Sequence, residues 1–178
     1  ESERQAFVRG KSSSRSQLEH TLGEIEKLDD KIGRIEKDLE AFRSRAELNE
    51  DGSYRNRITL DGVESNDPQF IGKQLNHIAK TVDTGTGEKR IGPIYGFEII
   101  VKSEKSMKEG FESIHNRFYV RGEGEYLYQY NYGNLAGDPR TAALNPLHAL
   151  GTIEPTLEKF RKERTLLEKD VPQLRQII

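Results

Sequence analysis

LEHTLGEIEKLDDKIGRIEKDLEAFRSRA, residues 18–46, repeats its apolar positions every seven residues. Leu18, Ile25, Ile32, Leu39 and Ala46 form one row. Thr21, Leu28, Ile35 and Phe42 form a second, three places on. Such a seam marks a helix that packs against another helix. At 1.5 Å per residue the rod is roughly 40 Å long, more than a small core covers. A matching seam lies near the other end. Leu150, Ile153, Leu157, Phe160, Leu167, Val171, Leu174 and Ile178 alternate three and four apart, interrupted only by Arg164. Pro155 and Pro172 fall inside it, so a kink or break is expected at one of them.

The two seams predict an α+β fold. Two long antiparallel coiled-coil helices come from the chain ends, residues 17–48 and 145–178. A small antiparallel sheet and one short helix, residues 53–144, are inserted between them as a head. Residues 1–16 contain Gly10 and the run Ser12, Ser13, Ser14. They read as a flexible lead-in, closed by a serine that caps the helix before Gln17.

Hydrophobic and charged residues each make up 33% of the 178 residues, a balance that suits exposed helices. The net charge of −2 gives no overall positive field for nucleic acid or membrane. There is no cysteine, which excludes disulfides and thiolate metal sites. No apolar run approaches the ~20 residues of a membrane span, and no signal peptide is visible. A cytoplasmic location without membrane contact is expected. The chain starts at Glu1 rather than Met, so it reads as a piece of something longer.

Inside the head, residues 57–60 read as a short strand and Asp61-Gly62 as a tight turn. Asn66-Asp67-Pro68 starts a helix whose face is Ile71, Leu75, Ile78 and Val82. A Thr84–Gly87 loop ends it. Ile91 to Lys102 reads as β, with a bend or bulge at Gly92-Pro93 before a core strand. Residues 103–114 are charged and read as a loop or helical turn. Arg117–Arg121 reads as a strand with Phe118 and Val120 on one face. A turn over 121–124 leads to a returning strand, 125–132. Residues 134–144 read as a loop, and Asn145-Pro146 as a second helix start.

No motif points to catalysis. His20, His77, His115 and His148 are scattered, whereas a zinc site needs three or four placed ligands. Gly85-Thr-Gly-Glu-Lys89 lacks phosphate-loop spacing and follows a helix rather than a strand. Asn145-Pro146-Leu147-His148 is not the Asn-Pro-Pro-aromatic motif of amino methyltransferases. No cofactor, metal or catalytic residue is therefore assigned, and this segment is read as non-enzymatic. Tyr126, Tyr128, Tyr130 and Tyr132 alternate and so share a sheet face, where packing on a helix is favoured over stacking with bases. Lys89, Arg90, Lys102, Arg117, Arg121 and Arg140, with Lys105 and Lys108, are the candidate nucleic-acid-binding residues. Glu98, Glu104, Glu109, Glu123 and Glu125 are interleaved with them, which makes a mixed solvated surface the competing reading.

One order of elements goes further. The heptad helix is followed by Arg55-Asn-Arg-Ile-Thr-Leu-Asp-Gly62, a short helix with Ile71-Gly72, and Ile91-Gly-Pro-Ile-Tyr-Gly-Phe97. A strand pair ending in Tyr132-Gly133, then Arg140 and Asn145-Pro-Leu-His-Ala-Leu150, open the last helix. This resembles the C-terminal accessory region of large SNF2-type helicase/N6-adenine DNA methylase proteins of bacterial mobile elements. The resemblance runs from about Gly10 onward; residues 103–114 and the loop before Arg140 depart from it. It implies a non-catalytic accessory domain that binds DNA or neighbouring helicase or methylase modules. The alternative is a coiled-coil scaffold that forms a homodimer through the helices without touching nucleic acid.

Overall fold

The computed structural model describes residues 2–130 and 137–177 of an α+β protein. The chain divides into a helical unit, Glu1–Glu36 with Pro155–Ile178, and a head, Lys37–Glu154.

The first helix, α1 (Ser2–Arg45), begins well before the expected start at 17. No proline stops it, and glycine and serine weaken a helix by only about 1 kcal/mol or less each. Ser14 also extends the second seam row. Ser14, Thr21, Leu28, Ile35 and Phe42, seven residues apart, are all buried. The helix ends where Ala46 N–H donates to Phe42 O. A turn stapled by Asn49 and Asp51 follows, with Asp51 accepting from Ser53 N–H at 2.9 Å.

Among the described residues the head carries a six-stranded antiparallel sheet in the order β2-β1-β3-β4-β5-β6. Its strands are β1 (Ile58–Leu60), β2 (Val63–Ser65), β3 (Glu88–Ile94), β4 (Phe97–Lys108), β5 (Phe111–Arg121) and β6 (Leu127–Tyr128). Asp61-Gly62, Tyr95-Gly96 and Glu109-Gly110 all have φ between 50° and 82°. That pair of left-handed residues is the tight hairpin turn whose twist matches the strands. The latter two correct the sequence reading. Residues 91–102 are two strands joined at Tyr95-Gly96. The supposed loop at 103–114 is instead the outer part of one regular ladder, Glu98↔Arg121 through Lys108↔Phe111. The bulge before the core strand is present, as a register shift between Arg90 and Gly92. A Cβ on Gly92 would lie 1.7 Å from Thr59 O, so glycine is what lets β1 close on β3.

Helix α2 (Pro68–Thr81) has Asp67 as its cap, accepting from Gln69 N–H, and buries Ile71, Leu75 and Ile78. The Asn116 side chain donates to Ala79 O (2.9 Å) and Val82 O (2.7 Å) at its C-terminus. That places α2 over the sheet face of Ile99, Val101, Phe118 and Val120. Residues 137–144 are not simply a loop: Asp138 caps a short helix, α3 (Pro139–Ala143). A Cβ on Gly72 would sit 1.8 Å from Pro139 O, so glycine is what lets α3 pack against α2 here. The returning strand is cut to Leu127–Tyr128; Tyr132 and Asn134 lie outside the described residues.

The expected 145–178 helix is interrupted. Helix α4 (Asn145–Leu150) ends at Gly151, and α5 (Ile153–Ile177) starts afresh. Pro155 sits in the first turn of α5, where no backbone N–H is needed, and only Pro172 lies inside it. Within the helical unit Arg161 pairs with Glu36 at 3.0 Å. Arg164, the break in the second seam, pairs with Asp29 and with Glu168 at 2.9 Å. Lys31 Nζ lies 4.6 Å over the Phe160 ring.

Candidate functional site

Side chains alternate across a sheet, so the register assigns each candidate residue a face. Lys102 stands opposite both Glu88 and Arg117, Arg90 opposite Ile100, and Arg121 opposite Glu98. Arg90, Lys102, Arg117 and Arg121 therefore share the face turned away from α2, with Glu88, Glu98 and Glu104. Lys89 stands opposite Val101 and faces the other way. Arg140 is exposed on α3, outside the sheet. Of the six candidates, the structure brings four together.

Those four do not form a bare positive patch. Arg90 pairs with Glu98 at 3.0 Å and Arg117 with Glu104 at 3.2 Å. Arg121 spans Glu88 (3.1 Å) and Glu98 (3.3 Å), with only 20% of its side chain exposed. Glu88, followed by Glu98, holds the Arg121 guanidinium charged beyond the ordinary arginine range, against the opposing effect of burial. Lys102 Nζ lies 5.7 Å from the Tyr119 ring, a cation–π contact. Ile100, flanked by Arg90 and Tyr119, is fully buried beneath these long side chains. Four cations and three carboxylates thus intermingle across three strands, with Lys102 and Arg117 directly opposite one another.

Farther out, β4 and β5 continue beyond the rest of the sheet. β3 reaches only to Lys102, and β6 meets only Val120 and Arg121. From Glu104 to His115 every residue is exposed, with Met107 at 74% and Phe111 at 78%. Lys105 lies 3.8 Å from both Asp83 and Glu112. This arm, with Lys105 and Lys108 on it, carries mixed charge and three exposed apolar side chains, Met107, Phe111 and Ile114.

A second polar cluster escaped the sequence reading. Asp38 of α1 is 2% exposed. It accepts from Tyr128 Oη at 2.7 Å and from Gly124 N–H at 3.1 Å. Burial first, and the Asp38 carboxylate second, push the Tyr128 hydroxyl pKa far above its usual range. Tyr126 packs beside it with ring centroids 5.0 Å apart. A Cβ on Gly122 would meet Asp38 Oδ1 at 2.5 Å and the Phe97 ring at 2.6 Å. The tyrosine row therefore packs against a helix at Tyr128, and the group that anchors it lies on α1, beside Leu39 of the seam.

No described helix is long and apolar enough to cross a membrane. The model of one family, described as a domain of unknown function (DUF8438), matches residues 43–150, more than half of the chain. The matched span runs from the last turn of α1 to the end of α4 and so covers nearly all of the head. No curated protein and no solved structure matches.

Proposed function

We propose that this chain, which belongs to the DUF8438 family, is a non-catalytic accessory module whose head docks on a neighbouring protein module. One observation carries this reading: the ion-paired mixture of Arg90, Lys102, Arg117 and Arg121 with Glu88, Glu98 and Glu104 on one sheet face. Exposed ion pairs of this kind contribute little to stability. They exchange readily for partners on another surface, and complementary charge sets register and orientation there. Its nearly balanced signs suit a protein surface better than a polyanion. The buried carboxylate of Asp38 is engaged by Tyr128 and Gly124, which fits a structural role. In this reading the end helices form an antiparallel coiled coil that carries the head. The regularly buried seam row supports this, as do the pairs Glu36–Arg161 and Asp29–Arg164, whose numbers run in opposite directions.

The resemblance to accessory regions of helicase/methylase proteins supports a place beside such modules in a bacterial mobile-element protein. The genomic neighbourhood is a direct test. SNF2-type motor or N6-adenine methylase motifs in the flanking reading frame would support the reading, and Glu98→Lys should then weaken binding of that module to this chain. A parent protein without them removes the helicase/methylase setting. A second reading, binding to DNA, is favoured by the placement of four cations on one face. It predicts affinity for duplex DNA that falls steeply with salt.

A further inference from the structure

The outer part of β4 ends the sheet on its side without a partner strand among the described residues. Ser103 N–H donates to Thr84 Oγ1 at 2.9 Å, away from β5. Because the β4–β5 register is regular, the backbone groups of Lys105 and Met107 point the same way, two and four residues on. Among the described residues Thr84 closes this edge at Ser103, and no backbone partner meets Lys105 or Met107 there. An unpaired edge is a template for another strand, and a two-stranded ribbon alone is at best marginally stable.

We propose that this edge pairs with the same edge of a second copy of the chain, antiparallel, about a two-fold axis at Ser106. The β4 sequence is self-complementary about that point. The axis sets Glu104 of each copy opposite Lys108 of the other, two opposite-charge pairs on one face of the joined ribbon. It sets Met107, 74% exposed in the single chain, opposite the aliphatic stem of Lys105, which covers it. Lys105 and Met107 then exchange about four backbone hydrogen bonds in total across the axis. Ser106 stands opposite Ser106, with room for a close approach. A polyanion fits this edge poorly, because Glu104, Glu109 and Glu112 crowd the same arm. The pairing does not involve the end helices, and of the charged sheet face it uses only Glu104, which also pairs with Arg117 within the chain.

Sedimentation of the chain over a range of concentrations tests it. The mass is expected to rise reversibly from monomer toward dimer. Glu104→Lys and Lys108→Glu should each raise the dissociation constant by about tenfold, since each turns two attractive pairs into repulsive ones. The double reversal should restore it to within about threefold of wild type. The chain has no cysteine, so Ser106→Cys should give a disulfide-linked dimer on mild oxidation, at the short separation of a non-hydrogen-bonded pair, whereas Ser53→Cys should not. A monomer at all concentrations overturns the proposal. So does a dimer insensitive to both single reversals, which would place the contact elsewhere, as on the helices. Failure of the double reversal to recover pairing, or failure of Ser106→Cys to cross-link, overturns it as well.

Discussion

The helical unit and the head are built on opposite principles. The helical unit repeats one pattern: Ser14, Thr21, Leu28 and Ile35 are buried at seven-residue intervals along α1. The head depends on single approaches that nothing else in it duplicates. Gly92 lets β1 reach β3, Gly72 lets α3 reach α2, and Asp38 ties α1 to the β5–β6 connection. Repetition tolerates local change, whereas singular contacts do not. The two units should therefore respond very differently to substitutions of similar size.

Glycine gives the widest contrast. Gly72→Ala and Gly92→Ala each drive a Cβ to within 1.8 Å of a backbone oxygen that cannot step aside. Each should lower head stability on the order of 3–5 kcal/mol in denaturant melts. Gly33→Ala in α1 meets open space and should instead raise stability by roughly 0.5–1 kcal/mol. If all three behave alike, the contrast is wrong.

Polar groups come next. Asp38→Ala strands the Tyr128 hydroxyl and Gly124 N–H in the core and should be destabilising by about 2–4 kcal/mol. Tyr128→Phe removes one donor to a buried carboxylate, for about 1–3 kcal/mol. The raised Tyr128 pKa fixes the sign of a pH effect. Above the ordinary tyrosine value near 10 the unfolded chain releases a proton that the folded chain keeps. Stability from this group is thus full below about pH 10 and falls as pH rises further. Alkaline melts of wild type should show that decline, and those of Tyr128→Phe should show less of it.

The seam is milder. Leu28→Ala should be destabilising by about 2–3 kcal/mol, because Thr21 and Ile35 of the same row stay buried. Smallest of all is Arg164→Gln. Its pairs with Asp29 and Glu168 are solvent-facing, and the melting temperature should stay within the scatter of repeated thermal scans. A large drop there would make Arg164 a singular contact within the repeating unit.

Sequence legibility divided along similar lines. The seams could be read because burial on one stripe leaves a period, as did Asp61-Gly62, whose residue types name the turn. The start of α1 was missed because no apolar period runs through residues 1–13. The outer β4–β5 ladder was missed for a related reason. Residues 104–115 are exposed on both faces, so neither face demands apolar side chains and alternation disappears. The short α3 carries the same Asp-Pro start as α2 but ends before a period can form. Lys89 and Arg90 are adjacent and must face opposite sides of a strand, so one of them was separable from sequence alone. Tyr128 and Asp38 lie 90 positions apart, and no local signal joins them.

The docking reading rests on a sheet face whose charges answer one another. Its most direct test is titration of a short DNA duplex with the chain across a series of salt concentrations, beside Arg90→Ala, Arg117→Ala and Arg121→Ala. The reading predicts weak binding, a dependence on salt equivalent to fewer than about two phosphate contacts, and variants like wild type. Tight binding with a dependence of about four contacts, falling by about one with each arginine removed, would contradict it and assign the face to DNA.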